Sequence, residues 1–275
     1  MSVSIDRANR QFWDELCGSG FARQLGVTGH SKESLERFDQ AYLDFYPYLL
    51  HHVPTSKMSG KKVMEVGPGY GTLGQKIAES GADYLGLDMA AKPVKMMKHR
   101  IRMARLQGEA MQGNMLDCPV RSESLDWLVS IGCFHHTGDI QRCIDETYRV
   151  LKPGGRAAIM VYNRFSLQQW LFWPWHTFRA ALSDLNLRAS YSIAPENMRR
   201  FYDSNTSGSV APETKFSSIE ELRRMFKKYS RVTFQKENCS SLAIPKLHVT
   251  VIPRSRLLST IGRTLGTDIY IEARK

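Results

Sequence analysis

One stretch constrains this chain more than any other: Val63-Met64-Glu65-Val66-Gly67-Pro68-Gly69-Tyr70-Gly71-Thr72. An apolar run ends in glycines at every second position, and a helical pattern of Leu73, Ile77 and Ala78 follows at once, which predicts strand, tight turn and helix. Glycine there lets the backbone adopt positive φ and approach a ligand closely, because no Cβ stands in the way. The stretch reads as a nucleotide-type binding turn. A dinucleotide fingerprint, G-x-G-x-x-G, would put its last glycine where helix packs on strand. In this chain the third glycine, Gly71, comes one residue early and Thr72 holds that position, so a nicotinamide cofactor fits poorly. No Gly-Lys-Ser/Thr follows, so the turn is not a P-loop.

Further on, Tyr84-Leu85-Gly86-Leu87-Asp88 predicts a second short strand with a carboxylate at its tip. Such a carboxylate can accept hydrogen bonds from both ribose hydroxyls of an adenosine. The E-x-G-x-G-x-G turn and Asp88 together resemble the signature of class I S-adenosylmethionine-dependent methyltransferases, of the bacterial small-molecule, methyltransferase domain 11-like type. The similarity continues through Gln112-Gly113-Asn114-Met115, through Asp126-Trp127-Leu128-Val129-Ser130-Ile131-Gly132-Cys133-Phe134-His135-His136, and through Tyr148-Arg149-Val150-Leu151-Lys152-Pro153-Gly154-Gly155.

The resemblance implies a set of roles. Gly67, Gly69 and Gly71 would approach the methionine part of S-adenosyl-L-methionine while Glu65 orients the turn. Asp88 would take the ribose hydroxyls and Met89 would pack on the adenine, with Met115 and Ile131 completing the cofactor-binding set. Asn114 stands where the family commonly has an aspartate that accepts a bond from the adenine amino group, and an amide carbonyl can accept that bond too. In similar enzymes a histidine just past strand four deprotonates the acceptor, which points to His136 ahead of His135; imidazole suits the task because its ordinary pKa lies near neutrality. Tyr162, Asn163 and Arg164 leave strand five on the same edge, and with Tyr202 and Asp203 they are the candidate acceptor contacts.

The alternation of short apolar strands with helical patterns predicts an α/β fold: a Rossmann-like, doubly wound, seven-stranded, mostly parallel sheet with helices on both faces. Residues 1–59 are expected to be helical, with Leu35, Phe38, Tyr42, Phe45, Tyr46 and Leu49 on one helix face that packs against the core, and the resemblance implies that they form an N-terminal helical lid over the cofactor. Residues 60–163 form the cofactor-binding core, with strand five at 157–162. A helical, aromatic-rich insertion at 164–216, in which Trp170, Phe172, Trp173, Trp175 and Phe178 crowd together, either packs its own small core, lines an apolar acceptor pocket or rests on a membrane surface. Residues 217–275 return to the core sheet through a helix at 219–229 and strands at 231–235 and 268–273, all within one domain. The helix after strand two places Lys92, Lys95, Lys98, Arg100, Arg102 and Arg105 on its outer face.

With 38 Lys and Arg against 27 acidic residues, the net charge of +11 admits nucleic acid, anionic membrane or an acidic substrate as partners. Five cysteines without a C-x-x-C pair suggest neither a zinc site nor a disulfide framework, so a reducing cytoplasm is the natural setting and no metal is expected. The charged first ten residues and the lack of a run of 18 apolar residues predict neither a signal-like leader nor a membrane span. The first functional reading is methyl transfer to O or N of a small, apolar or lipid-like acceptor. Alternatives are an RNA methyltransferase, against which stands the lack of an Asn/Asp-Pro-Pro-aromatic stretch after strand four, and a cofactor-binding protein without turnover. Peripheral membrane contact is an open expectation, nucleic acid is disfavoured, and the oligomeric state is not legible.

Overall fold

The computed structural model describes residues 2–27, 29–185, 194–244 and 249–275. Four helices precede the sheet: α1 (Ser2–Trp13), α2 (Ser19–Gln24), α3 (Lys32–Phe45) and α4 (Leu49–His52). The sheet is then laid down as β1 (Lys62–Val66), α5 (Thr72–Glu79), β2 (Asp83–Asp88), α6 (Ala91–Met103), β3 (Glu109–Gln112), β4 (Leu125–Ile131), α7 (Ile140–Val150) and β5 (Leu151–Tyr162). Helices α8 (Leu167–Phe172), α9 (Pro174–Leu185) and α10 (Glu196–Tyr202) follow, then α11 (Ile219–Met225) and β6 (Arg231–Glu237). A hairpin of β7 (Leu242–Ile244) and β8 (Val249–Ile252), helices α12 (Arg254–Leu258) and α13 (Ile261–Leu265), and β9 (Asp268–Arg274) end the chain.

Seven strands pair in the order β3-β2-β1-β4-β5-β9-β6, and only β9 runs antiparallel to its neighbours. The order reverses between β1 and β4, which opens a crevice at their carboxyl ends, where ligands of open α/β sheets bind. Side chains alternate across the sheet as the pleat requires. Met64, Val66, Leu128, Ile159, Val161 and Ile271 pack on one face with Ile140, Ile144 and Phe226. Val63, Val129, Met160 and Tyr270 pack on the other with Ile77, Met97 and Ile101. Both faces are therefore dry, which is why these strands read as continuous apolar runs.

Several expectations are corrected. Strand five begins at Leu151, because Lys152-Pro153-Gly154-Gly155 continues the strand through an irregularity opposite Leu125 and Trp127. The helix expected at 219–229 ends at Met225, and the apolar face expected to run through Leu49 breaks after Phe45, where α4 starts anew. Arg100 is fully buried, not on the outer face of α6. It lies next to the apolar stripe of Met97 and Ile101, and Asp39 meets it with both carboxylate oxygens at 2.8 Å, which compensates for removing the guanidinium from water. In the insertion Trp173 and Tyr202 join the small cluster of Ala194, Met198 and Phe216, while Phe172, Trp175 and Phe178 are exposed. The parts of the insertion and of the late connection at 186–193 and 245–248 lie outside the described residues. No helix among the described residues is long and apolar enough to cross a membrane.

Candidate active site

The glycine turn follows β1 directly. Gly67 has φ 76°, and a Cβ on it would come within 2.9 Å of the Cβ of Cys133, so the turn can pass the end of β4 only as glycine. Gly71, φ 80°, precedes α5, and a Cβ there would meet Arg100 Cδ at 2.8 Å. The Arg100 guanidinium that occupies this space also holds the turn, donating to the Tyr70 carbonyl and to Gln75. Thr72 donates to Asp39 at 2.6 Å, so α3, α5 and α6 converge on one buried ionic cluster beneath the turn.

Glu65 is buried beside the turn and accepts from the Tyr84 hydroxyl at 2.6 Å. Burial raises its pKa to about 7 against the opposing effect of that bond. Asp88 ends β2 with one oxygen on the Ala90 amide at 2.8 Å, and desolvation with the nearby Asp14 charge raises its pKa to about 7 as well. Asp88, Met89, Asn114, Met115 and Ile131 line one crevice together with Gly67 and Gly69, while Glu65 and Gly71 lie on a second cavity just beyond the turn.

That second cavity, about 360 Å³, is walled by Phe21, Phe38, Tyr42, Tyr46, Tyr162, Tyr202 and Tyr270. The two spaces share Trp13, Cys17, Gly67, Gly69, Ile131, Gly132 and His136. His136 thus stands at the junction. Its Nδ1 is 2.8 Å from the Glu213 carbonyl. A carbonyl only accepts, so Nδ1 carries a proton, and in the neutral form of the ring the lone pair is on Nε2. Nε2 lies 3.7 Å from Asp203 Oδ2, an oxygen without a hydrogen bond to any described residue, while Asp203 Oδ1 accepts from the Tyr162 hydroxyl at 3.1 Å. Burial raises the Asp203 pKa, and the adjacent imidazole opposes that.

His135 differs from its neighbour. It is wholly buried against the Tyr162 ring, lines neither space, and has no partner for either ring nitrogen among the described residues. Burial holds its pKa well below the ordinary range. Asn163 and Arg164 also point away: Asn163 donates to the Gly266 carbonyl, and Arg164 pairs with Asp184 and Glu221. Tyr162, Tyr202 and Asp203 do reach the cavity.

Residues that the sequence did not assign to the site complete the roof. Asp6, Asn9 and Trp13 share one face of α1 by their spacing. Asp6 lines the crevice, Asn9 donates to the His136 carbonyl at 2.7 Å, and the Trp13 ring lies 4.7 Å from the His136 ring. Asp14 accepts from the amides of Ala91 and Lys92, capping α6 where its own N-cap residue, Ala90, cannot. Their signal in the sequence was the i, i+3, i+7 spacing of a polar-aromatic face in an otherwise charged segment. Among the described residues no lysine or arginine lines either space, whereas Asp6, Asp88, Glu65 and Asp203 all do.

Residues 64–159 match the family described as "Methyltransferase domain". Among curated proteins, the chain is 35% identical to a sterol methyltransferase-like protein of Botryococcus braunii over 36% of this chain and 26% of that one. It is 30% identical to a ubiquinone biosynthesis O-methyltransferase of Klebsiella pneumoniae over 38% of this chain and 44% of that one. The chain therefore spans less than half the length of either relative. Among solved structures, a methyltransferase of Haloferax volcanii described in complex with the Trm112 activator superposes with a TM-score of 0.55 at 17% identity, over 86% of this chain and 92% of that one, a likeness of fold. The match over 64–159 coincides with the strands and turns that build the crevice, so these residues form a methyltransferase domain of the kind found in S-adenosylmethionine-dependent methyltransferases.

Proposed function

We propose that the chain transfers the methyl group of S-adenosylmethionine to an oxygen of a small, uncharged aromatic acceptor, with His136 receiving the acceptor's proton. The observation that carries this reading is the place and tautomer of His136: a lone pair on Nε2 at the junction of a crevice and an aromatic cavity. The crevice suits the cofactor, because the glycine turn leaves room that a Cβ would fill and Asp88 has an oxygen free of Ala90. When bound there, the sulfonium supplies an electrophilic methyl group. The protein's part is to align and to manage the proton. The tyrosine walls hold a planar ring, Nε2 accepts the hydroxyl proton, and Asp203 stabilises the imidazolium that results. Among the described residues an acceptor bearing phosphate or carboxylate finds no lysine or arginine on either wall, which disfavours RNA. The relatives named for ubiquinone and sterol chemistry are consistent with an apolar, ring-bearing acceptor.

The reading is tested by incubating the protein and methyl-labelled S-adenosylmethionine with a prenylated catechol and, separately, with total RNA. Label in the catechol ether, lost in His136→Ala, is expected; label in RNA alone sinks the reading.

An apolar acceptor resides in a bilayer, and the insertion offers a face toward one. Trp175, Phe178 and Leu182 form an exposed stripe on α9, with exposed Arg179 within it by helical spacing. Phe172 and Phe201 extend the apolar surface, and Phe201 packs against Tyr202, which lines the acceptor cavity. Trp with a cation on one helix face, in a chain of charge +11, suits an anionic bilayer surface. Sedimentation with phosphatidylcholine vesicles should require added phosphatidylglycerol and fall about tenfold in Trp175→Ala/Phe178→Ala. Binding that ignores the double substitution, or dimerisation abolished by it, would refute a bilayer as the occupant.

A further inference from the structure

Resting on the reading that the crevice holds S-adenosylmethionine, we propose that Asp6, carried by α1, reads the adenine amino group in place of Asn114. Asn114 follows β3, and its Oδ1 accepts the Leu116 amide at 3.0 Å. A backbone amide only donates, so this bond fixes which end of the side chain is oxygen. The side-chain nitrogen therefore faces Asp6, donating to Oδ2 at 3.0 Å. An amide nitrogen meets an exocyclic amine donor to donor, which is no bond at all. Asp6 has what the position lacks. It is an acceptor, it lines the crevice beside Met89, Asn114 and Met115, and its Oδ1 has no hydrogen bond to any described residue.

The pair also explains why residue 114 is not an aspartate. Two carboxylates at that 3.0 Å separation would repel, and one would be driven to hold a proton. With asparagine at 114, the carboxylate is supplied from α1 and the amide orients it. The consequence is structural as well as chemical. The same face of α1 bonds the His136 carbonyl through Asn9 and packs Trp13 on the His136 ring. A contact between Asp6 and the adenine end would therefore seat the helix that lies against the base, so that the acceptor machinery is complete only when the cofactor is in place.

Calorimetry with S-adenosylhomocysteine and S-inosylhomocysteine, which carries a carbonyl where adenine has its amine, separates the outcomes. The wild type should prefer the adenosyl compound by about tenfold or more, the loss of a hydrogen bond to a charged group. Asp6→Ala should reduce the preference to within about twofold. Asp6→Asn preserves the shape of the side chain, should melt like the wild type, and should swing the preference toward the inosyl compound because its amide can donate to that carbonyl. Equal binding of both compounds by the wild type, or an unchanged preference in both variants, overturns the role of Asp6 alone. Failure of the wild type to bind either compound overturns the cofactor reading itself.

Discussion

The crevice and the aromatic cavity meet at His136 but are built from different materials. The crevice is largely backbone and strand tips: Gly67, Gly69, Asp88, Gly113 and Gly132 lie within one stretch of the chain and on adjacent strands. The cavity is built of side chains contributed by α3, β5, α10 and β9, which approach one another only after the sheet has closed. Recognition by backbone is conserved by the fold's own geometry, whereas recognition by side chains can be rewritten one residue at a time. A common donor and variable acceptors are the natural outcome of that division.

The division can be broken from either side. The largest effect is expected at the junction: His136→Ala should lower kcat by 10²–10⁴ with cofactor affinity within about twofold of wild type, measured by single-turnover kinetics and calorimetry. An equal loss of cofactor affinity would mean that the two spaces are one site. The mirror experiment is Asp88→Ala, which removes an acceptor of the ribose hydroxyls and should weaken cofactor binding by about 10- to 100-fold while leaving acceptor KM unchanged. Unaltered calorimetric affinity would remove Asp88 from the cofactor site.

The smallest effect concerns pH and the cofactor-free protein. The Asp88 pKa is raised from 3.8 to about 7 by burial, so between those values the native state binds more protons at this site than the unfolded chain does. Stability from this group is then fully present below pH 4 and is lost as pH rises toward 7. Asp88→Asn cannot ionise, so its stability relative to wild type should grow across that window, by up to roughly 1.4 kcal/mol per pH unit. Denaturant titrations at pH 5, 6 and 7 check the sign. A constant difference would show that Asp88 is well solvated.

How much of this was legible follows the same line. The alternation of strands and helices, the glycine turn, Asp88 and the position of His136 depend on local pattern, and each was readable before the fold. The difference between His135 and His136 was not, because it turns on the Glu213 carbonyl and Asp203, both far along the chain. Arg100 was assigned to solvent because its partner, Asp39, sits on a helix 61 residues earlier. Asp6 was invisible for a related reason: only the docking of α1 brings it to Asn114, across 108 residues. Asn163 and Arg164 sit at the correct edge but spend their polar groups on Gly266, Asp184 and Glu221.

That no described lysine or arginine lines either space has a final consequence for how such a site would turn over. In a chain with eleven excess positive charges, the reaction space is an acidic interior inside a basic exterior. A cation entering it is attracted by Asp6, Asp88, Glu65 and Asp203, and on the proposed chemistry its charge does not disappear at transfer. It changes owner, from sulfur to the imidazole of His136 beside Asp203. The neutral thioether left behind no longer has the attraction that drew the donor in, so the departure of the spent cofactor is set by the same carboxylates that govern its arrival.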